Sequence, residues 1–116
     1  MSKSLPRAVS TLRFPFSASL SKNGKIYGHN YILSVGLRGA GEVQGEAARL
    51  LVQRVLIDKL HSQDLTLHVD FLKNIEPTQE NLLRTFWDVL EKELGEEMSS
   101  LGLEINAKTW VGLEHS

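Results

Sequence analysis

From Leu12 to Leu20 the chain alternates. Leu12, Phe14, Phe16, Ala18 and Leu20 fall on one side, Arg13, Ser17 and Ser19 on the other. A side-chain period of two belongs to an extended strand, so this run predicts a strand with one buried face. Tyr31, Leu33, Val35 and Leu37 repeat the pattern beyond Asn23-Gly24, a dipeptide that accepts the positive φ of a tight turn. Together the two runs predict an antiparallel hairpin. Pro15 lies inside the first run and has no amide hydrogen, which confines that strand to a sheet edge or a bulge.

Gly39-Ala40-Gly41 ends the hairpin, and the stretch through Gly45 reads as a flexible connector. Its glycine spacing fits neither the dinucleotide fingerprint nor a Walker A loop, and no lysine follows. A helix is predicted from about residue 46 to residue 60. Ala47, Ala48, Leu51, Val52, Val55 and Leu56 recur at helical spacing, while Arg49, Gln53, Arg54 and Asp58 face outward. Residues 62–74 are less regular. Pro77-Thr78 opens a second helix with Thr78 as N-cap, Glu80 in the first turn, and Leu82, Leu83, Phe86, Leu90 and Leu94 on the buried face. Leu101, Leu103, Ile105 and Ala107 alternate as a third strand, and residues 109–116 leave room for only a short fourth one.

The order strand, strand, helix, helix, strand predicts an α+β fold in which an antiparallel sheet carries two helices on one face. A chain of 116 residues makes one domain, 1–116, with residues 1–10 expected to fray. The apolar stretch 101–110 is long for an exposed edge, so a neighbouring subunit is expected to cover it in a homo-oligomer. A net charge of −1 offers no field for nucleic acid or an anionic membrane. No apolar run approaches the roughly 20 residues that span a bilayer, and no signal-peptide pattern is visible. The cytoplasm is the expected location. With no cysteine there is no disulfide, thiolate nucleophile or cysteine metal ligand.

Phe16-Ser17-Ala18-Ser19-Leu20, Tyr27-Gly28-His29-Asn30-Tyr31, residues 67–75 and Pro77-Thr78-Gln79-Glu80-Asn81 together resemble the 6-pyruvoyl-tetrahydropterin synthase / 6-carboxytetrahydropterin synthase family. The corresponding family segments read roughly F-S-A-x-H, H-G-H-N-Y, L-D-H-x-x-L-N-x-I and P-T-x-E-N. The resemblance covers about residues 14–108. It implies the tunnelling fold, in which subunit sheets join edge to edge into a barrel with active sites at subunit junctions. It also implies a zinc ion held by three histidines, at positions that are here Leu20, Tyr27 and His29.

Leucine has no lone pair and a neutral tyrosine is a poor ligand, so no metal and no other cofactor are expected. His61, His68 and His115 fall at no ligand spacing with His29, and His115 is expected in a mobile terminus. The loop where many members carry a nucleophilic cysteine holds Ser21, Lys22, Asn23 and Lys25 instead.

The family's catalytic Asp-His pair falls at His68 and Val69, while His68 and Asp70 would share one face of an extended segment. They read either as a reordered acid–base pair or as two polar residues on an exposed loop. The pterin-anchoring glutamate falls at Ala107, which cannot offer a pterin two parallel hydrogen bonds. Leu20, Val69 and Ala107 then predict an aliphatic wall for the former metal site. Thr78 and Glu80 remain from the P-T-x-E-N motif, though a helix start explains both.

Three functions follow: a non-catalytic binding or interaction protein that has lost the family's lyase chemistry and uses the inter-subunit pocket, a metal-independent enzyme using His68, Asp70, Tyr27 or His29 on a less polar, cyclic small molecule, or a divergent pterin lyase with the family activity.

Overall fold

A computed structural model describes residues 9–39 and 42–115. Strands β1 (Val9–Lys22) and β2 (Lys25–Arg38) pair in register from Val9↔Arg38 to Lys22↔Lys25. Asn23 and Gly24 make the turn, at φ 53° and 76°. Leu12, Phe14, Phe16 and Ala18 on β1 are buried, as are Tyr31, Leu33, Val35 and Leu37 on β2, so the alternation marks the inner face correctly. Val9 and Ser10, expected to fray, already belong to β1. Residues 1–8, the rest of the expected frayed segment, lie outside the described residues.

Beyond the hairpin, β3 (Met98–Ile105) pairs with β2 and β4 (Thr109–Glu114) pairs with β3, giving the antiparallel order β1-β2-β3-β4. The stretch 101–110 is therefore not one exposed edge strand. Asn106 and Ala107 take φ of 53° and 56° and fold the chain back. Ala107 mimics the next inward residue of an alternation that ends at Ile105. The edges of the described sheet are β1 and β4.

Helix α1 covers residues 42–60, as an α segment Glu42–Val52, a π turn Gln53–Ile57 and a last α turn Asp58–Leu60. It starts about one turn earlier than the sequence predicts, so Glu42 to Gly45 are helix rather than connector; Ala40 and Gly41 lie outside the described residues. The π turn has a consequence for packing. An i, i+4 row drifts around an ordinary α-helix, and a widened turn cancels that drift. Val52, Leu56 and Leu60 thus all reach zero exposure, Ile57 joins them, and Ala47 is left exposed. Gln53 Nε2 donates to Asp58 Oδ1 at 2.7 Å across the same turn.

Helix α2 (Gln79–Leu94) buries Leu82, Leu83, Phe86, Leu90 and Leu94, as expected. Thr78 caps it by accepting the Asn81 N–H at 3.2 Å. Both helices and the inner face of the sheet share one apolar core. No described helix is long and apolar enough to cross a membrane.

Residues 61–67 seal part of the β1 edge. Ser19 N–H donates to the Gln63 carbonyl at 2.9 Å, and Leu65 N–H donates to the Ser19 carbonyl at 2.8 Å. Ser17 N–H reaches His61 Nδ1 and Ser21 N–H reaches Thr66 Oγ1, each at 3.1 Å. Pro15 has the same parity as these serines, so the donor it lacks would have pointed away from β2, at the edge.

Asp64, buried under this seam, accepts from Ser21 Oγ at 2.6 Å, Ser19 Oγ at 3.2 Å, and the Thr66 and Leu67 N–H groups at 2.9 and 3.0 Å. Burial pushes its carboxyl pKa up, but the bonds from Ser21, Leu67, Thr66 and Ser19 together outweigh burial and hold it below the ordinary 3.8. The stabilisation is therefore present above the unfolded value and is lost as pH falls through the lower folded one. Asp64→Asn keeps the shape but not the charge. It is expected to lose about 1–3 kcal/mol at neutral pH and to flatten the fall in stability below about pH 4. Urea unfolding across pH checks this; an unchanged acid limb in the variant would count against it.

Candidate functional site

The hairpin register places the three positions of interest together. Leu20 pairs with Tyr27 across the strands and Ala18 pairs with His29, so Leu20, Tyr27 and His29 share the inner face near the hairpin end. The β2–β3 register stops at Tyr31↔Ile105, leaving this part of the hairpin beyond the end of β3. Against it lies the segment that leads into α2. Leu20, Tyr27 and His29 line a cavity of about 660 Å³ with Ser21 and Lys22 from the hairpin and Glu76 and Thr78 from that segment. The wall is mixed, with the aliphatic side chains of Leu20 and Pro77 among hydroxyls, an imidazole and opposite charges.

His29 is half-buried. Its ring stands edge-on to Tyr31, with centroids 5.9 Å apart at 77°, and its Nδ1 lies 2.9 Å from Asn106 Nδ2. Tyr31 stacks on Phe16 at 4.9 Å. Burial pushes the Tyr31 phenol up to about 12, and its hydroxyl has no partner among the described residues. Tyr31 is thus a neutral aromatic floor beneath His29. Tyr27 is 46% exposed, so its phenol is free to reach a bound molecule.

A zinc ion does not fit this donor set. Leucine cannot ligate, a phenol is a poor ligand until it loses its proton, and one imidazole remains. Among the described residues no three His, Cys, Asp or Glu side chains gather where they could hold a metal.

His68 and Asp70 do not join this cavity. They line a separate depression of about 390 Å³ beside Asp58, Lys59 and Phe71. Val69 between them is extended, but Asp70 already opens a 3₁₀ turn (Asp70–Leu72), and its carboxylate lies 3.6 Å from Lys73 Nζ. Val69 is 3% exposed and belongs to the core; what it shows borders that same depression and not the cavity of Leu20.

The P-T-x-E-N segment is a structural clamp. Thr78 caps α2, Gln79 Nε2 donates to the Leu103 carbonyl at 2.7 Å and the Thr109 carbonyl at 2.9 Å, and Asn81 Nδ2 donates to the Glu76 carbonyl at 3.1 Å. Glu80 pairs with Arg84 at 2.9 Å on the exposed helix surface, and only Thr78 of the two retained candidates borders the cavity.

Ala107 stands exposed in the β3–β4 turn, not on the strand. The expected aliphatic wall therefore reduces to Leu20. The carboxylate that does sit near the end of β3 is the half-buried Glu104, one residue before the strand's last. Its parity puts it on the sheet face opposite Leu103 and Ile105, away from His29's face. Asn106 was the available signal: an asparagine between an alternating run and a second extended stretch marks a turn.

His115, expected in a mobile terminus, is ordered. Its N–H donates to the Ser99 carbonyl at 3.1 Å and its ring meets Trp87 edge-on at 4.8 Å, 3.8 Å from Glu91 Oε2.

The model of the 6-pyruvoyl tetrahydropterin synthase family matches residues 8–114. The chain belongs to that family. A 6-pyruvoyl tetrahydrobiopterin synthase of Dictyostelium discoideum is 37% identical over an alignment of 86 residues, and the match covers 62% of this chain. That match spans 63% of the Dictyostelium protein's length. The structure of 6-pyruvoyl tetrahydropterin synthase from Caenorhabditis elegans matches 97% of this chain and 98% of its own at a TM-score of 0.78. Identity there is 20%, so the likeness shows the fold: the four-stranded antiparallel sheet with two helices.

Proposed function

We propose that this family member has lost zinc-dependent pterin lyase chemistry and uses the cavity at the hairpin end to bind a small molecule, or to act on it without a metal. The observation that carries this reading is the grouping of Leu20, Tyr27 and His29 on one cavity wall. These are the positions where the family pattern holds three histidines, and they supply one imidazole. A metal that polarises a substrate oxygen needs about three protein ligands to stay bound.

The cavity volume, about 660 Å³, suits a ring-sized molecule. Leu20 offers it an apolar contact, while Tyr27, His29 and Thr78 offer hydrogen bonds. Within one chain, acid–base work on such a ligand falls to Tyr27, His29 and the Glu76 carboxylate on the opposite wall. His68 and Asp70 face a different depression and would take part only across a subunit junction.

We propose that such a junction forms in a homo-oligomer through the two sheet edges. The β1 edge from residue 17 to residue 21 is already bonded to residues 61–66. Pro15 interrupts the donors next to it, so the proposed pairing runs through the Thr11 and Arg13 N–H groups, which share the outward parity of Ser17 and Ser19, to the six-residue β4 of a neighbour. Light scattering is expected to report an oligomer at micromolar concentration; a monomer would contradict the proposal.

A second reading, retention of the family activity, is favoured by the 37% identity to a synthase. A turnover assay separates the two. The purified protein is expected not to convert dihydroneopterin triphosphate, with or without added zinc, above the blank without protein. Zinc-dependent conversion would favour the family activity and overturn the proposed loss.

A further inference from the structure

Asn106 opens the β3–β4 turn at a positive φ that asparagine tolerates well. Three contacts hold it. Its own N–H donates to the Asn30 carbonyl at 2.7 Å, its Oδ1 accepts the Asn30 N–H at 2.8 Å, and its Nδ2 lies 2.9 Å from His29 Nδ1. A backbone N–H can only donate, so the amide oxygen has to face Asn30. That turns the NH₂ group toward His29, and an NH₂ group can only donate. His29 Nδ1 must then accept, and an imidazole whose Nδ1 accepts carries its proton on Nε2.

We infer that Asn106 is a positioning residue that fixes His29 in the Nε2–H form, so that the imidazole beside Leu20 and Tyr27 recognises a ligand through an oxygen or ring-nitrogen acceptor. This rests on the proposed loss of metal chemistry, because with Nδ1 taken a metal would need the Nε2 lone pair. The turn alone does not demand an amide. Glycine or aspartate would also suit the positive φ, but only asparagine accepts from Asn30 while donating to His29. The edge-on Tyr31 ring supports the same ring orientation from the inner side.

The test is a long-range ¹H–¹⁵N correlation spectrum of the whole labelled protein, which separates protonated from unprotonated ring nitrogens. For His29 the expected result is a protonated Nε2 and a bare Nδ1. Asn106→Asp can still accept from Asn30 but cannot donate, and is expected to move the proton to Nδ1. Asn106→Gly suits the turn, removes the contact, and is expected to give intermediate shifts from two exchanging tautomers. Unchanged backbone amide signals away from residues 28–31 and 104–108 establish that the variants are folded. A protonated Nδ1 in the unmodified protein, or an Nε2–H form that persists unchanged in both variants, overturns the inference. Zinc added to the unmodified protein separates the two claims. Stoichiometric uptake at His29 contradicts the loss of metal chemistry, while the metal-free spectrum still decides the role of Asn106.

Discussion

The in-register pairing of β1 with β2 is the constraint on which the rest of the molecule depends. It turns two alternating runs into one apolar face, and that face is what α1 and α2 cover. Shifting the register by one residue would turn that face of a strand toward solvent, with Phe14 and Phe16 on β1 or Tyr31 and Leu33 on β2. The same register sets Leu20 opposite Tyr27 and Ala18 opposite His29. Core and cavity are therefore two ends of a single pairing pattern. Toward the helices its inner face is filled, and past the end of β3 it is open.

Polar groups do the fastening at that open end. Asp64 ties residues 61–67 to the serines of β1, Gln79 ties the start of α2 to β3 and β4 on either side of their turn, and Asn106 ties that turn to His29 and Asn30. Each satisfies donors or carbonyls that apolar packing leaves over. Phe16, Tyr31 and His29 form a continuous aromatic step from the core to the cavity. A ligand there would meet a wall held rigidly on two sides.

Much of this was legible in the residues, and the parts that were not have physical reasons. Strict period-two patterning disclosed β1 and β2, the Asn23-Gly24 turn joined them, and the i, i+4 leucines disclosed α2. Helix α1 was harder: its first turn carries Gly45, and its π turn breaks the spacing that a regular helix would show. The Ala107 position misled because alanine continued an apolar alternation while the backbone had already turned at Asn106. Side-chain clamps such as Asp64 and Gln79 leave no periodic trace, since their partners are 43 to 45 and 24 to 30 residues away. For the site, the motifs placed Leu20, Tyr27 and His29 together. The separation of His68 and Asp70 from that group needed the fold.

On the proposed reading, the family frame persists here around a site that no longer holds a metal. Leu20 at an inner position is the hardest feature to reconcile with zinc, because no adjustment of backbone or protonation gives a leucine a lone pair. Elemental analysis of the protein purified in zinc-supplemented medium and treated with a mild chelator tests this most directly. The account predicts far less than one zinc per chain. About one zinc per chain, retained through the chelator, would contradict it.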